Sequence, residues 1–407
     1  MALIYNKILT KFSGLNSVAL SANGDLAAAC FNDRELVVYR IIEGHRQIDP
    51  SKIVNPNIGA LEEGGSLQEY RFIRLPLASR HDRPLGAEVN FEHTKLTFLT
   101  DETLLIAREI EQIGGGKRPP PSKEINISLA AVDIKSGKVV SEFTDSAYGP
   151  ILAAPLLIPP KYVLFNAVNT AICLDATSFR EVFRLRKFDE DEAIIGEEDV
   201  SSEEHICHNA VAYDPSTGIL YVLWREYGAS FLQTYLLHPE KGSFERLQRR
   251  PLFKGELEGL EANSLCLRPD GKEVAVWGTD LDGLTDCPSE KGVKVPEPVR
   301  FGRLGIVSKK NKRFLDVHLK IHYGVDEFGA KPFYLDDRTV VINTPGGVLL
   351  GVDTISGKSE LLMEEWSQIQ DVSVHHQKRL LLVGTKGKAG YPGVLNLLGL
   401  YSSRDKR

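Results

Sequence analysis

The chain has 407 residues, of which 42% are hydrophobic and 26% charged; 49 Lys and Arg face 55 Asp and Glu, for a formal net charge of −6. That balance excludes general binding along a nucleic-acid backbone, which needs a strong basic excess. No apolar run reaches the roughly 20 residues of a membrane helix, and the start, Met1-Ala2-Leu3-Ile4-Tyr5-Asn6-Lys7-Ile8-Leu9, has neither the basic n-region nor the long apolar h-region of a signal peptide. The five cysteines, Cys30, Cys173, Cys207, Cys266 and Cys287, are odd in number and form no CxxC pair, and several sit inside apolar runs. Buried free thiols in a soluble cytoplasmic protein are therefore expected.

Taken in chain order, the elements are almost all short strands. The first is Leu3–Leu9. Ser17-Val18-Ala19-Leu20, the turn Asn23-Gly24-Asp25 and Leu26–Cys30 then make a hairpin. The same apolar strand, polar turn and stronger strand recur at Ala212–Trp224 around Asp214-Pro215-Ser216-Thr217-Gly218. They recur again at Leu265–Trp277 around Pro269-Asp270-Gly271-Lys272, and at Phe333–Ile342 around Asp336-Asp337-Arg338. A second idiom is an apolar strand ending in Asp, a Ser-Gly-Lys-like turn and another strand. It is clear at Val132-Asp133-Ile134-Lys135-Ser136-Gly137-Lys138 and at Val352-Asp353-Thr354-Ile355-Ser356-Gly357-Lys358. It is degenerate at Leu174-Asp175-Ala176-Thr177-Ser178-Phe179 and looser at Leu237–Ser243. Asn-Gly, Asp-Gly and Asp-Pro are specific reversal chemistry, with Gly supplying the positive φ. No long apolar pattern of period 3.6 argues for helices.

Joined, the two idioms give units of four strands at about 14–76, 86–145, 150–186, 206–248, 262–320, 330–363 and 366–401. The last unit, with strands at Val372–Val374, Leu380–Val383 and Val394–Leu398, runs out of chain before a fourth strand. The unclaimed segment 2–12 is expected to supply it and so close a ring. This architecture resembles a seven-bladed β-propeller of the WD40-like and quinoprotein-like superfamilies. The resemblance covers the whole chain but carries no diagnostic dipeptide, since the only tryptophans are Trp224, Trp277 and Trp366. The expected fold is all-β, a single propeller over 1–401 of seven four-stranded blades closed by the N-terminal strand, with a disordered tail at 402–407. Six or eight blades, or a pair of β-sandwiches, are the alternatives.

The units exceed a compact blade through insertions near 43–67, 109–123, 187–205 and 278–300, and such loops are where repeat scaffolds carry function. The third insertion packs nine acids into the 16 residues 189–204: Asp189, Glu190, Asp191, Glu192, Glu197, Glu198, Asp199, Glu203 and Glu204, interrupted by Ile194 and Ile195. An acid run is ordinarily a solvated loop. The embedded isoleucines add the apolar anchor of an interaction motif, and a basic partner is the expectation. Basic clusters at Arg246, Arg249, Arg250 and at Lys309, Lys310, Lys312, Arg313 read as surface charge. Gly114–Pro121 reads as a flexible-to-extended insertion.

Candidates for chemistry are sparse. His205-Ile206-Cys207-His208 collects ligand residue types, but on one strand it divides them between two faces, and a tetrahedral site would need distant partners. His375-His376 reads as a solvated turn. His318 and His322 fall at a blade boundary and could face a central channel. Gly351–Ser359 has the wrong spacing for a phosphate loop, and a strand rather than a helix follows it. No GxSxG and no HExxH occurs. The sequence thus predicts no catalytic residue, no metal and no organic cofactor, in a non-catalytic scaffold that binds protein or peptide partners and is a monomer outside any complex. Propellers also host enzymes, and a channel-centred, metal-dependent hydrolase of the lactonase-like type is the alternative.

Overall fold

The computed structural model describes residues 7–9, 14–31, 35–42, 58, 60–63, 65–75, 94–110, 124–148, 153–167, 170–186, 205–226, 229–252, 260–280, 299–308, 312–320, 331–344, 347–365, 368–386 and 393–402. Blade 1 consists of β2 (Leu15–Leu20), β3 (Leu26–Phe31), β4 (Glu35–Ile42) and β6 (Ser66–Arg74). Blade 2 has β7 (Lys95–Thr100), β8 (Thr103–Ile110), β9 (Glu124–Asp133) and β10 (Lys138–Tyr148). Blade 3 has β11 (Leu156–Ile158), β12 (Tyr162–Ala167), β13 (Thr170–Asp175) and β14 (Glu181–Arg186). Blade 4 has β15 (His205–Asp214), β16 (Ile219–Glu226), β17 (Ala229–His238) and β18 (Ser243–Pro251). Blade 5 has β19 (Leu260–Leu267), β20 (Glu273–Asp280), β21 (Val299–Ser308) and β22 (Lys312–Lys320). Blade 6 has β23 (Lys331–Tyr334), β24 (Thr339–Thr344), β25 (Val348–Asp353) and β26 (Ser359–Glu364). Blade 7 has β27 (Ile369–His375), β28 (Leu380–Thr385) and β29 (Val394–Tyr401). All pairs are antiparallel, and the fold is a seven-bladed β-propeller. Among the described residues the only helical piece is one 3-10 turn at Pro239–Lys241.

The strand sequences explain their places. Second and third strands are covered on both sides by neighbouring blades, so they read as continuous apolar runs: Leu380–Thr385 is buried at every position. Fourth strands form the rim and are polar, as in Ser243–Pro251 and Ser66–Arg74. The core is a succession of layers between blades. Cys30, Val38, Leu96 and Ile106 join blades 1 and 2; Ala275, Trp277, Tyr334 and Val340 join blades 5 and 6; Leu15, Val37, Leu382 and Leu395 join blades 7 and 1.

The expected closure occurs, in two pieces rather than one. β1 (Lys7–Leu9) pairs with Val394–Asn396 on the outer side of β29. The next stretch of the same edge, Leu398–Tyr401, is taken by β5 (Ala60–Glu63), which comes from the insertion between β4 and β6 of blade 1. Just before β5, Ile58 is fully buried and fills the space above Gly351 of blade 6, where a Cβ would stand 2.9 Å from its Cγ2. The remainder of segment 2–12 lies outside the described residues.

The recurrent turn is a local device. In each clear copy the Asp side chain accepts from the turn it precedes, as in Ser136 N–H to Asp133 Oδ1 at 2.6 Å and Ile355 N–H to Asp353 Oδ1 at 2.9 Å. The Gly closes the turn at positive φ, at 73° for both Gly137 and Gly357. The Asp214 turn is built alike, with Ser216 and Thr217 hydroxyls donating at 2.7 and 2.6 Å. Asp353 differs in being 1% exposed and held by the Arg338 guanidinium at 2.9 and 2.6 Å. Burial opposes its charge, but Arg338, the Ile355 N–H and the Ser356 hydroxyl outweigh burial and hold the carboxyl down at about 2.

A folded-state value below the unfolded one, about 3.9, stabilises the protein above that pH, and the contribution is lost as pH falls through 2. Asp353→Asn is therefore expected to cost about 2 kcal/mol at pH 7. In urea titrations its deficit against wild type should shrink on going from pH 7 to pH 3. A deficit independent of pH would show that the ion pair contributes nothing.

Candidate functional site

Because every blade is a sequential meander, the link from first to second strand and the link from third to fourth leave the ring on one face. Links from second to third strand and from blade to blade leave on the other. The first face carries the tight Asp-anchored turns. The strand ends that flank residues 76–93, 111–123, 187–204, 281–298 and 321–330 all lie at the second face. The acidic segment with Asp189, Glu190, Asp191, Glu192, Ile194, Ile195, Glu197, Glu198 and Asp199 lies outside the described residues. Its flanks are Arg186, ending β14, and His205, opening β15.

First strands line a central cavity of about 450 Å³ to which all seven blades contribute. Its wall is mostly apolar, with Leu20, Phe98, Leu157, Val211, Leu265 and Phe333 among the lining residues. Polar groups enter it from blades 7, 1 and 2, and they are committed to the ring. Asp371, 4% exposed, accepts from Ser17 Oγ at 2.5 Å and from the Val18 N–H at 3.0 Å. Ser17 Oγ accepts in turn from the Leu96 N–H at 3.2 Å, so three consecutive blades share one relay. The Leu20 N–H donates to Ser373 Oγ at 3.0 Å. Thr97 Oγ1 donates to the Pro155 carbonyl at 2.8 Å. These bonds satisfy strand edges that would otherwise face the channel unpaired.

His375, expected as a solvated turn residue, instead reaches the channel mouth. Its Nε2 lies 2.7 Å from the Ala22 carbonyl and its Nδ1 accepts from the Lys378 N–H at 3.0 Å, which assigns the proton to Nε2. His376 stays exposed. His318 is on β22, the rim strand of blade 5, and so stands away from the channel that the sequence allowed it to face; His322 is outside the described residues. His205-Ile206-Cys207-His208 opens β15, with a register shift between Ile206 and Val211. Cys30 and Cys173 are buried thiols outside any disulfide, and burial pushes the Cys173 thiol up to about 12, far from a thiolate nucleophile at neutral pH. Among the described residues no three His, Cys, Asp or Glu side chains come together as a metal site.

Arg250 and Lys312, from basic clusters far apart in sequence, meet at the seam of blades 4 and 5, which sequence reasoning missed; Lys309 and Lys310 lie outside the described residues. Arg250 donates to the Ser308 carbonyl at 2.7 Å and Lys312 to the Pro251 carbonyl at 2.8 Å. Arg246 donates to Gln233 Oε1 at 3.0 Å, and the Arg249 guanidinium lies 4.1 Å from the centre of the Phe231 ring. Gly351–Ser359 is a strand, turn and strand. No helix among the described residues is long and apolar enough to cross a membrane.

No family model matches this chain, and no curated protein matches it. Among solved structures, Kuenenia stuttgartiensis hydrazine synthase is similar over 95% of this chain and 96% of that chain, with a TM-score of 0.59 and 10% identity. A likeness at that identity concerns the fold.

Proposed function

We propose that this protein is a non-catalytic interaction scaffold, working in the cytoplasm as a monomer that binds protein or peptide partners. The observation that carries the reading is the commitment of the channel's polar groups: Asp371, Ser373, Thr97 and His375 all bond within the ring. The channel then serves as the structural axis, and recognition falls to the face where most of the long segments leave the ring. Within that face the acidic segment 189–204 docks a basic partner. Its charge steers the encounter, and Ile194 and Ile195 supply the apolar contact.

Replacing residues 187–204 by a short Gly-Ser linker should leave the melting temperature unchanged, because loop length affects stability weakly. The partner that co-purifies from the native source should bind the variant about tenfold more weakly at ~50 mM salt, with the gap closing near ~0.5 M as the wild-type attraction is screened. Equal affinities at low salt would overturn the docking role. One zinc or calcium per chain surviving dialysis would favour the channel-centred, metal-dependent hydrolase instead.

A further inference from the structure

The second closing piece is built like a bound peptide. β5 adds an antiparallel strand to the edge of β29, with Leu61 opposite Leu400 and Glu63 opposite Leu398. Leu61, 4% exposed, enters the apolar layer between blades 6 and 7 beside Phe333, Leu349, Leu381 and Leu398. Three residues earlier, Ile58 is 0% exposed and occupies the hollow that Gly351 leaves beside Leu362. Main-chain pairing together with two side-chain pockets is the recognition mode of domains that bind peptides by strand addition. The pairing is short, and glycines bracket it in the sequence, Gly59 on one side and Gly64-Gly65 on the other; Gly65 has φ 122°, outside the range of ordinary side chains. A β-edge held by four residues between glycines opens at lower cost than the long ladders of the blades.

We infer that this edge of blades 6 and 7 is a peptide-docking groove occupied in cis by the chain's own segment 58–63, and that its external partner is an extended segment with aliphatic side chains three residues apart. The occupant on the page defines the code: Ile in the Gly351 hollow, Leu in the Phe333–Leu398 layer, backbone along Leu398–Tyr401. A partner with the same spacing displaces the strap while β1 keeps the adjoining stretch of β29 covered. The groove is on the rim, away from the strand ends that flank the acidic segment, so it stands or falls separately from that segment's docking role.

The probe is a labelled peptide with the strap's own sequence, residues 56–65, Pro-Asn-Ile-Gly-Ala-Leu-Glu-Glu-Gly-Gly. Wild type should bind it weakly, because the tethered strap competes at high effective concentration. Ile58→Ser with Leu61→Ser empties the groove and should raise affinity at least tenfold, and a peptide with both apolar residues changed to Asp should lose it. Should that double variant not fold, a second pair carries the test. Glu62→Cys with Gly399→Cys joins register partners, and its oxidised form should bind no peptide while the reduced form binds as wild type does. Unchanged affinity in the folded double variant, or equal binding by oxidised and reduced forms, would overturn the groove.

Discussion

Gly384→Ala is expected to lower the unfolding midpoint sharply, by about 3 kcal/mol in stability. Gly384 is in the second strand of blade 7, facing blade 1. An added Cβ would overlap Leu15 Cδ2 and stand 2.8 Å from Val18 Cγ1. Both neighbours are core residues of the layer that joins the first and last blades. They cannot withdraw without opening that layer, since interiors are close-packed. Leu15→Ala alone should also destabilise, by leaving a cavity. Combined with Gly384→Ala it should cost clearly less than the two single changes added together, because each removes the other's problem. Strict additivity in urea melts would show that the two residues do not share this contact.

Asp371→Ala should cost a similar amount, about 3 kcal/mol. It strips the acceptor from Ser17 Oγ and from the Val18 N–H, both buried, and an orphaned buried donor costs about 1–3 kcal/mol, with bonds to a charged acceptor at the upper end. Asp371→Asn keeps one acceptor oxygen and should lose about half as much. Ser17→Ala should also free the Leu96 N–H of blade 2, so the damage extends one blade further round the ring. An alanine variant at 371 that melts with wild type would remove the relay from the account of ring closure.

What the sequence disclosed is what local chemistry determines. The Asp, Ser and Gly of each recurrent turn act within five residues of one another, so Asp133-Ser136-Gly137 and Asp353-Ser356-Gly357 announce their hairpins without any tertiary information. The apolar runs of second and third strands are likewise self-evident. The N-terminal strand was legible by subtraction, because blade 7 lacked an edge. β5 was not: it is four residues long, and only Leu61 among them is an apolar residue of any size. His375 and Asp371 draw their roles from partners 353 and 354 positions away, a relation that no spacing rule contains. Gly384 did leave a trace, since a glycine inside a buried strand marks a close approach by another element. The acidic segment stood out by composition alone, and composition gives a field without a geometry.

The relay from Ser17 to Asp371 also has a consequence for how the protein is made. Blade 1 leaves the ribosome first, yet its inner hydroxyl, its β5 segment and the buried face of Leu15 all await blade 7, whose Asp371 follows Ser17 by 354 positions. At ~5–20 residues per second the interval is roughly 20–70 s, during which the earliest blade stands with an unsealed apolar flank. Successive blades can stack on its other side while translation continues. The nascent chain is therefore an open arc until blade 7 emerges, and chaperone engagement should concentrate on the flank of blade 1 until Asp371 and its strand are released.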